Sequence, residues 1–431
     1  MAATQLGMMA MGLVDIVMVG PLGTESLAAV SVGNSVFFAL LILCLGVVQA
    51  LDPLVAQAVG ARDREAAGRH LWQGAWLAVF LGIPLTLLFI DCTWMFRLLA
   101  QEEAVSVLAG DYLAGRAYSI LPFLVFAAGR SFLNGLGDTR PVMWVALGAN
   151  AVNAAADWVL IYGNLGAPRL GVMGAGLATS IVRVCMLAAV FVLLARPHYA
   201  ALRGRPAWPH LGHLRRIANV GLPIGGQLFL EVGLFATMSI FSGWLGARAQ
   251  AAHQIALSLA SFSFMAPLGL SMGATVRVGH AVGAGRLDAA ERAGKVAIAL
   301  GAAIMGTGAV FFLLFPRALS SIFSPEPEVL ATSAVLVAIA GIFQVSDGVQ
   351  VVATGCLRGA GDTRTPFWAN ALSHWALGVP LAWLLAFPGE MGVRGLWWGI
   401  TASLTGVAVV ETILFLRGGW RSLARLEAGP S

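Results

Sequence analysis

Charged residues are scarce in this sequence. They make up 11% of its 431 residues, whereas 58% are hydrophobic, and the mean hydropathy is +0.83. Soluble domains contain about a quarter charged residues, so this composition excludes an ordinary soluble globular protein. In lipid every backbone polar group must be hydrogen-bonded within a helix or a closed barrel. The long apolar runs lack the alternation of barrel strands and therefore predict helices.

The sequence also lacks a pattern for metal or redox chemistry. Its four cysteines lie in apolar segments without metal-ligand spacing, and we interpret them as small buried hydrophobic residues. They are Cys44, Cys92, Cys185 and Cys356. His253 and His280 lie near opposite ends of one apolar segment, too far apart for a single metal site. We expect no cofactor.

Twelve apolar segments approach or exceed the roughly 20 residues that cross a bilayer. They lie near residues 1–20, 28–51, 71–95, 111–133, 141–163, 171–195, 217–243, 251–275, 294–315, 329–356, 366–387 and 393–416. No Lys or Arg precedes Arg62, so the sequence predicts no cleavable signal peptide, and whether the natural amino terminus is longer stays open.

The basic residues are distributed unevenly between the predicted loops. Nineteen of the 26 belong to the loops after even-numbered segments or to the tail, and only five belong to the opposite loops. The positive-inside rule then predicts a multi-pass membrane protein with both termini in the cytoplasm. The net charge of +5 is thus a topology signal, and we expect no nucleic-acid partner.

The chain repeats itself. Leu133–Arg140 recurs as Leu357–Arg364, and both copies end in Gly-Asp-Thr-Arg. Ala58–Ala61 recurs as Ala281–Ala284, at almost the same offset along the chain. The repeat unit is six helices, an even number, so the copies enter the membrane in the same orientation. The predicted fold is an all-α integral membrane protein of about twelve transmembrane helices in two pseudo-symmetric six-helix lobes.

We place the lobes at residues 1–196 and 217–416, with a basic cytoplasmic linker at 197–216 and a cytoplasmic tail at 417–431. A parallel repeat of this kind suits a transporter that works by alternating access. A channel is more often built from identical subunits around a pore. The sequence therefore favours a transporter, which we expect to be a monomer surrounded by membrane lipids.

Four acidic residues lie inside apolar segments. A charged side chain near the bilayer centre costs about 2.5–3.5 kcal/mol, so each must be paired, protonated or hydrated. They are Asp15, Asp157, Glu231 and Asp347. None has an acidic residue at the equivalent repeat position, which we take as a mark of function. The alternative for any one of them is a structural acid near a helix end or paired with Arg116 or Arg183.

Asn153 and Asp157 are four residues apart and share one helix face. Together with Asp15 and Thr179 they offer the oxygen ligands that suit Na⁺ or a proton. The 13 Trp, 22 Phe and 14 Met residues suit a bulky organic cation, which binds through cation–π and hydrophobic contacts.

Five stretches resemble the multidrug and toxic compound extrusion family, in its bacterial norfloxacin-exporter-type branch. They are residues 15–23, 153–163, 221–231, 252–256 with 277–280, and 343–350 leading to 357–359. The resemblance spans essentially the whole chain. It implies a twelve-helix antiporter that expels cationic, amphipathic drugs and dyes in exchange for Na⁺ or H⁺.

The resemblance also implies where the cations bind. In the amino-terminal lobe the family's cation site corresponds to Asp15, Asn153, Asp157 and Thr179, and in the carboxy-terminal lobe the pattern of this branch corresponds to Glu231 and Asp347. Asp157 stands where relatives often carry Asn, and Phe343 replaces a Tyr of some relatives. Both departures leave the coupling ion open.

Two alternatives remain. A lipid or lipid-linked sugar flippase of the same superfamily would carry basic residues in its cavity, whereas the acids predominate here. A membrane-embedded glycosyltransferase would need a large aqueous loop with metal-binding acids. Asp138 and Asp362 lie in short duplicated loops, which we interpret as turns that anchor helix ends.

Overall fold

The computed structural model describes residues 1–99 and 102–423, and all regular secondary structure in that part is helical. Residues 424–431 of the predicted tail lie outside the described residues. Contacts group the chain into two compact units, of which one comprises Ala3–Gly225 and the other starts at Gly226 and includes Met1–Ala2.

The first unit contains ten helices and the start of an eleventh. They are α1 (Ala2–Val19), α2 (Thr24–Gln49), α3 (Leu51–Gly60), α4 (Arg64–Ile90), α5 (Thr93–Leu98), α6 (Glu103–Ala117), α7 (Ile120–Gly135), α8 (Arg140–Tyr162), α9 (Gly171–Ala195), α10 (Pro197–Arg203) and α11 (Leu211–Trp244).

The second unit contains the rest of α11 and seven more α-helices. They are α12 (Ala247–Gly283), α13 (Leu287–Leu314), α14 (Pro316–Ser321), α15 (Pro327–Ala360), α16 (Arg364–Asn370), α17 (Val379–Ala386) and α18 (Val393–Arg417). A π-helical segment, Ala371–Gly378, joins α16 directly to α17.

Ten helical stretches of the described residues are long and apolar enough to cross a membrane. The pair α6 and α7, bent by 47°, makes an eleventh span. The predicted span at 366–387 is helical from Arg364 to Ala386, but the π segment divides it. The prediction of a helical membrane protein with about twelve spans is therefore confirmed in kind, and the bent and divided spans account for the difference in number.

Proline explains why α6 and α7 are separate helices. Pro122 lies in the first turn of α7, where its ring excludes the hydrogen bond and the space that a continuous helix needs. The equivalent residue of the second copy is Ser346, and α15 runs unbroken through it. The bend is thus a local consequence of one residue.

The sequence repeat is reproduced by the helices. Helix α4 begins at Arg64 and its counterpart α13 at Leu287, while α8 begins at Arg140 and its counterpart α16 at Arg364. Both pairs of starts keep the offset of the repeated sequence motifs. The helix pair α2 and α3 covers residues 24–60, and α12 covers the equivalent residues 247–283 as one helix.

The duplicated Gly-Asp-Thr-Arg loops end one helix and start the next. The Asp138 amide donates to Leu133 O at 3.1 Å, and the Asp362 amide donates to Leu357 O at 2.9 Å. Gly137 and Gly361 have φ values of +86° and +96°, which side chains disfavour. These contacts are those of helix caps and leave no exposed catalytic geometry.

The basic segment 197–216 is fastened to α4. Trp72 and Trp76 donate their indole N–H groups to the carbonyls of Arg203 and Ala207, at 2.9 and 3.0 Å. Gln73 donates to Trp208 O and accepts from the His210 amide, both at 2.8 Å. The segment is therefore held along its length.

The expectation that all four cysteines are buried is wrong for Cys185. Cys92 and Cys356 are buried and Cys44 is partly buried, but Cys185 is exposed on α9. Hydropathy does not separate these cases, because the outer face of a membrane helix meets lipid that is as apolar as the interior.

Candidate functional site

Helices α1 and α9 bring the first two predicted site residues together. Asp15 of α1 is 3% exposed, and its Oδ2 accepts a hydrogen bond of 3.1 Å from Thr179 Oγ1 of α9. Thr179 also contacts the carbonyl of Ala175 in its own helix, at 3.2 Å. The Thr179 hydroxyl therefore fixes the position of the Asp15 carboxylate relative to α9.

Asn153 and Asp157 lie one turn apart on α8, and both are fully buried. Asp15 is the charged group that acts on Asp157. With both acids ionised, neither carboxylate oxygen of Asp157, neither amide atom of Asn153 and not Oδ1 of Asp15 has a hydrogen-bond partner among the described residues, whereas a proton on either acid joins Asp15 to Asp157 by a hydrogen bond. Buried polar atoms without partners are costly, so this cluster is arranged for a group that it can bind.

The chemistry of these donors fits a small cation. Two adjacent carboxylates in a low-dielectric site repel each other unless a proton or a metal ion is shared between them. The remaining ligands are an amide oxygen and a hydroxyl, which suit Na⁺ and not a thiophilic metal. In the part of the chain that the structure describes, no group of three or more His, Cys, Asp or Glu side chains could hold a metal ion.

Arginines lie in the same unit, and Asp15 acts electrostatically on Arg183, but they form no direct ion pair with the acids in the described residues. The Arg183 guanidinium lies 3.8 Å from the centre of the Phe123 ring, and that of Arg116 lies 4.4 Å from the Phe37 ring. Within the described part of the chain, neither Asp15 nor Asp157 forms an ion pair with either arginine. The alternative that these two acids are simply paired is therefore not what the geometry shows.

The second unit holds the other two predicted acids. Asp347 of α15 is buried, and Glu231 of α11 is partly buried. Glu231 is the charged group that acts on Asp347, while Arg358 acts on Glu231. Phe343, one turn before Asp347, is buried and stacks on Trp397 with ring centres 5.8 Å apart.

His253 has a packing role in the same unit. Its imidazole lies 3.0 Å from Ser239 Oγ and accepts at 3.2 Å from the Trp397 indole. These contacts tie α12 to α11 and α18, as expected of a buried histidine without a metal.

Three buried charged residues of the described structure were missed by the sequence reasoning, namely Asp52, Arg130 and Glu411. Glu411 of α18 is fully buried and hydrogen-bonded to Thr354 and Asn370. The signal was present, because Glu411 lies within the apolar segment 393–416 like the other four acids. Arg130, counted among the loop charges, lies inside α7 and is buried, with Asp52 acting on it.

A helical membrane protein that repeats a six-span unit and buries carboxylates inside each copy has the architecture of a secondary transporter. A model of the MatE family matches the chain twice, over residues 1–159 and 223–384. The chain belongs to the MatE family. It is a transporter and not an enzyme, as the sequence predicted.

Curated relatives match almost the full length. The chain is 39% identical over 424 residues to the "Probable multidrug resistance protein NorM" of Rhodopseudomonas palustris, which covers 97% of this chain and 90% of that protein. It is 36% identical over 419 residues to the "Multidrug resistance protein NorM" of Burkholderia vietnamiensis, covering 95% and 90%. The predicted resemblance to this branch is confirmed.

Solved structures share the fold. The crystal structure of the eukaryotic MATE transporter AtDTX14 superposes with a TM-score of 0.89 at 22% identity, covering 97% of this chain and 94% of that chain. An outward-facing MATE family transporter of the MOP superfamily gives a TM-score of 0.89 at 21% identity, covering 98% and 95%. The predicted all-helical, two-lobe fold and the multi-pass membrane location are confirmed. The roles of the six site residues stay predictions.

Proposed function

We propose that this protein exports cationic, amphipathic organic compounds across the bacterial inner membrane in exchange for inward Na⁺ or H⁺. The observation that carries the proposal is the buried pair Asp15 and Asp157, whose carboxylate oxygens largely lack partners. The relatives named as multidrug resistance proteins support the choice of cargo. Export proceeds by alternating access of the two predicted lobes, 1–196 and 217–416, in a protein that acts as a monomer.

In the first unit, Asp15, Asn153, Asp157 and Thr179 bind the coupling ion. Asp15 and Asp157 supply the negative charge, Asn153 supplies a neutral oxygen, and Thr179 positions Asp15 through its 3.1 Å hydrogen bond. The site releases its ion when the conformation brings other groups to the carboxylates.

In the second unit, Glu231 and Asp347 bind either the coupling ion or the positive end of the cargo. The stacked rings of Phe343 and Trp397 belong to the buried hydrophobic core of this unit and pack one turn before Asp347 on α15.

One observation favours the second candidate, a lipid or lipid-linked sugar flippase. Arg116, Arg130 and Arg183 all lie within membrane helices of the first unit, and Arg130 is buried. These cations suit a cargo with an anionic group, although the five acids Asp15, Asp157, Glu231, Asp347 and Glu411 still outnumber them inside the membrane helices.

Everted membrane vesicles test the proposal, with Na⁺ and pH gradients imposed separately. We expect ethidium uptake to depend on at least one gradient, and Asp15→Asn, Glu231→Gln and Asp347→Asn each to lose most of it at normal expression. Asp111→Asn, which changes an exposed acid of α6, is the matched control. Gradient-independent movement of a fluorescent anionic lipid, without ethidium transport, would instead support the flippase.

A further inference from the structure

Glu411 is the most completely enclosed carboxylate of the second unit. It lies on α18 with none of its surface exposed. Its Oε2 accepts a hydrogen bond of 2.6 Å from Thr354 Oγ1, and its Oε1 accepts one of 3.2 Å from Asn370 Nδ2. No basic side chain forms an ion pair with it in the described part of the chain. A carboxylate held only by neutral donors at membrane depth needs a further explanation.

The hydrogen bonds around Glu411 have a fixed direction. Arg358 Nη2 donates to Gln227 Oε1 at 2.7 Å, and Gln227 Nε2 donates to Thr354 Oγ1 at 3.3 Å. A guanidinium has only donors, so the carbonyl oxygen of Gln227 must face Arg358 and its amide must donate onward. The Thr354 hydroxyl then directs its own proton at Glu411. Each of these three hydrogen bonds therefore donates in the direction of Glu411, whose carboxylate is the final acceptor.

The chain of hydrogen bonds lies along the face of α15 that also carries Asp347. Thr354 follows Asp347 by seven residues and Arg358 follows Thr354 by four, the spacings of one helical face. Two turns of helix separate Asp347 from Thr354, a rise of about 10 Å. Arg358 acts electrostatically on both Glu231 and Glu411. The pair Glu231 and Asp347 and the single acid Glu411 thus share one arginine.

Asn370 provides an oxygen atom beside Glu411 that is available to a ligand. The residue is fully buried, and while its Nδ2 donates to Glu411 and to Pro366 O, its Oδ1 has no partner. An oxygen of this kind is available to a cation, or to the O–H of a protonated Glu411 after rotation of the amide.

We infer that Glu411 is a second loading site for a monovalent cation, H⁺ or Na⁺, coupled electrostatically to Glu231 and Asp347. The inference rests on the proposed ion exchange for its role in transport. A cation at Glu411 removes the repulsion between Glu411 and Glu231, while the attraction of Arg358 for Glu231 remains, so ionised Glu231 is favoured. Loading of Glu411 therefore favours unloading of the Glu231 and Asp347 pair, and the two sites fill alternately.

The other charges that face Glu411 are few. Besides Arg358 and Glu231 they comprise Asp362 beyond the end of α15, while the Cys356 thiol of α15 is the remaining titratable neighbour. The acids oppose a negative charge on Glu411 and Arg358 supports it. The sign of the coupling to Glu231 is therefore set by the direct repulsion between the two carboxylates.

The test compares Glu411→Gln, a neutral side chain of the same shape that imitates the loaded state, with Glu411→Asp, which keeps the charge. Glu390→Gln, at an exposed acid of the same unit, is the control. In proteoliposomes we expect Glu411→Gln to lower gradient-driven ethidium transport roughly tenfold and to flatten its pH or Na⁺ dependence. Glu411→Asp should recover part of both. Wild-type rate and ion dependence in Glu411→Gln would overturn the inference.

A second measurement needs no transport. The melting temperature of the purified protein is recorded at several pH values, once with Na⁺ and once with N-methylglucamine. If Glu411 loads H⁺, the difference between wild type and Glu411→Gln depends on pH in both buffers, and if it loads Na⁺, the difference appears only with Na⁺. A difference that is constant in all conditions means a structural role and contradicts the proposal.

These two measurements separate the hypotheses. If the wild type moves no ethidium in any gradient, the proposed function fails, yet the melting data still decide whether Glu411 binds a cation. If Glu411→Gln does not fold, Thr354→Val replaces it. That substitution removes a neutral donor and should make ion loading at Glu411 easier, so unchanged ion dependence of its melting temperature would count against the site.

Discussion

At the scale of single residues, Asp157 is the most informative side chain. It lies beside Asp15 in a buried site without any ion pair in the described residues, so its charge is balanced only by what binds there. An uncharged amide at this position would keep an oxygen ligand and remove one of two negative charges.

We therefore expect Asp157→Asn to change the ion dependence more than the range of cargo. The loss of one charge near a cation should raise the half-saturating Na⁺ concentration, or shift the pH dependence, by roughly tenfold. This is tested by measuring ethidium transport as a function of Na⁺ concentration at fixed pH, and as a function of pH in the absence of Na⁺. Identical responses in variant and wild type would refute the assignment, and Asp111→Asn again serves as the control.

The residue scale also shows what the sequence was able to reveal. Asp15, Asp157, Glu231 and Asp347 were found because an acid inside an apolar run is costly wherever it points. Glu411 satisfied the same criterion and was passed over near the end of its segment. The depth of Arg130 and the exposure of Cys185 were mispredicted, because hydropathy does not distinguish a face toward protein from a face toward lipid.

At the scale of elements, the contact between α8 and α9 positions the residues of the proposed ion site in the first unit. Asn153 and Asp157 lie on α8 and Thr179 lies on α9. Gly174 allows these helices to approach closely, since a Cβ there would lie 2.6 Å from the Leu160 carbonyl oxygen. Because that oxygen belongs to the backbone, it cannot move away as the end of a flexible side chain could.

Gly174→Ala should accordingly force α8 and α9 apart. Overpacking of this kind costs about 1–3 kcal/mol, so we expect a lower melting temperature together with weaker ion dependence. Thermal unfolding of the purified protein checks the prediction. Gly148→Ala in α8 is the matched control, because a Cβ there meets nothing within 4 Å; equal losses in both variants would argue against the close approach.

The helix α10 is held by a pH-sensitive contact. Tyr199 donates its phenol proton to Asp138 Oδ2 of the duplicated loop. Burial, together with the Asp138 carboxylate, raises the pKa of Tyr199 from 10.0 to about 12. A raised pKa means that the folded state favours the protonated phenol, so its stabilising effect is complete below pH 10 and is lost as the pH rises toward 12.

Proteolysis of the segment 197–216 should follow this titration. In the wild type we expect a cleavage rate that is flat up to about pH 10 and rises above it, after correction for the protease's own pH dependence. Tyr199→Phe should be cleaved faster below pH 10 and lose that rise. A wild-type profile in Tyr199→Phe would show that the phenol does not hold α10.

At the scale of the whole molecule, the distribution of arginines predicts the topology. The loops at Arg286 and Gly137 belong to the basic side, and those at Arg169 and Glu390 belong to the opposite side. We expect single cysteines at Arg286 and Gly137, in a chain without its native cysteines, to be protected from a membrane-impermeant maleimide in whole cells. Cysteines at Arg169 and Glu390 should react. The reverse pattern would invert the assignment of the termini.

The repeat was readable from the sequence at this scale because its short loops recur at a nearly constant offset. The bend at Pro122 and the π-helical segment were not predicted. Both leave the number of residues unchanged and alter only the path of the helix. An alignment of the two halves of the sequence therefore does not reveal them.

The π-helical segment Ala371–Gly378 has a consequence for the comparison of the two halves. Its i→i+5 hydrogen bonds unwind the chain relative to the regular helix α8, although the whole stretch from Arg364 to Ala386 contains as many residues as α8. The side chains of α17 are consequently rotated about the axis. Leu381, which matches Asp157 by number, need not point in the corresponding direction. Two copies of one gene segment can thus acquire different chemistry through a change of helical phase alone.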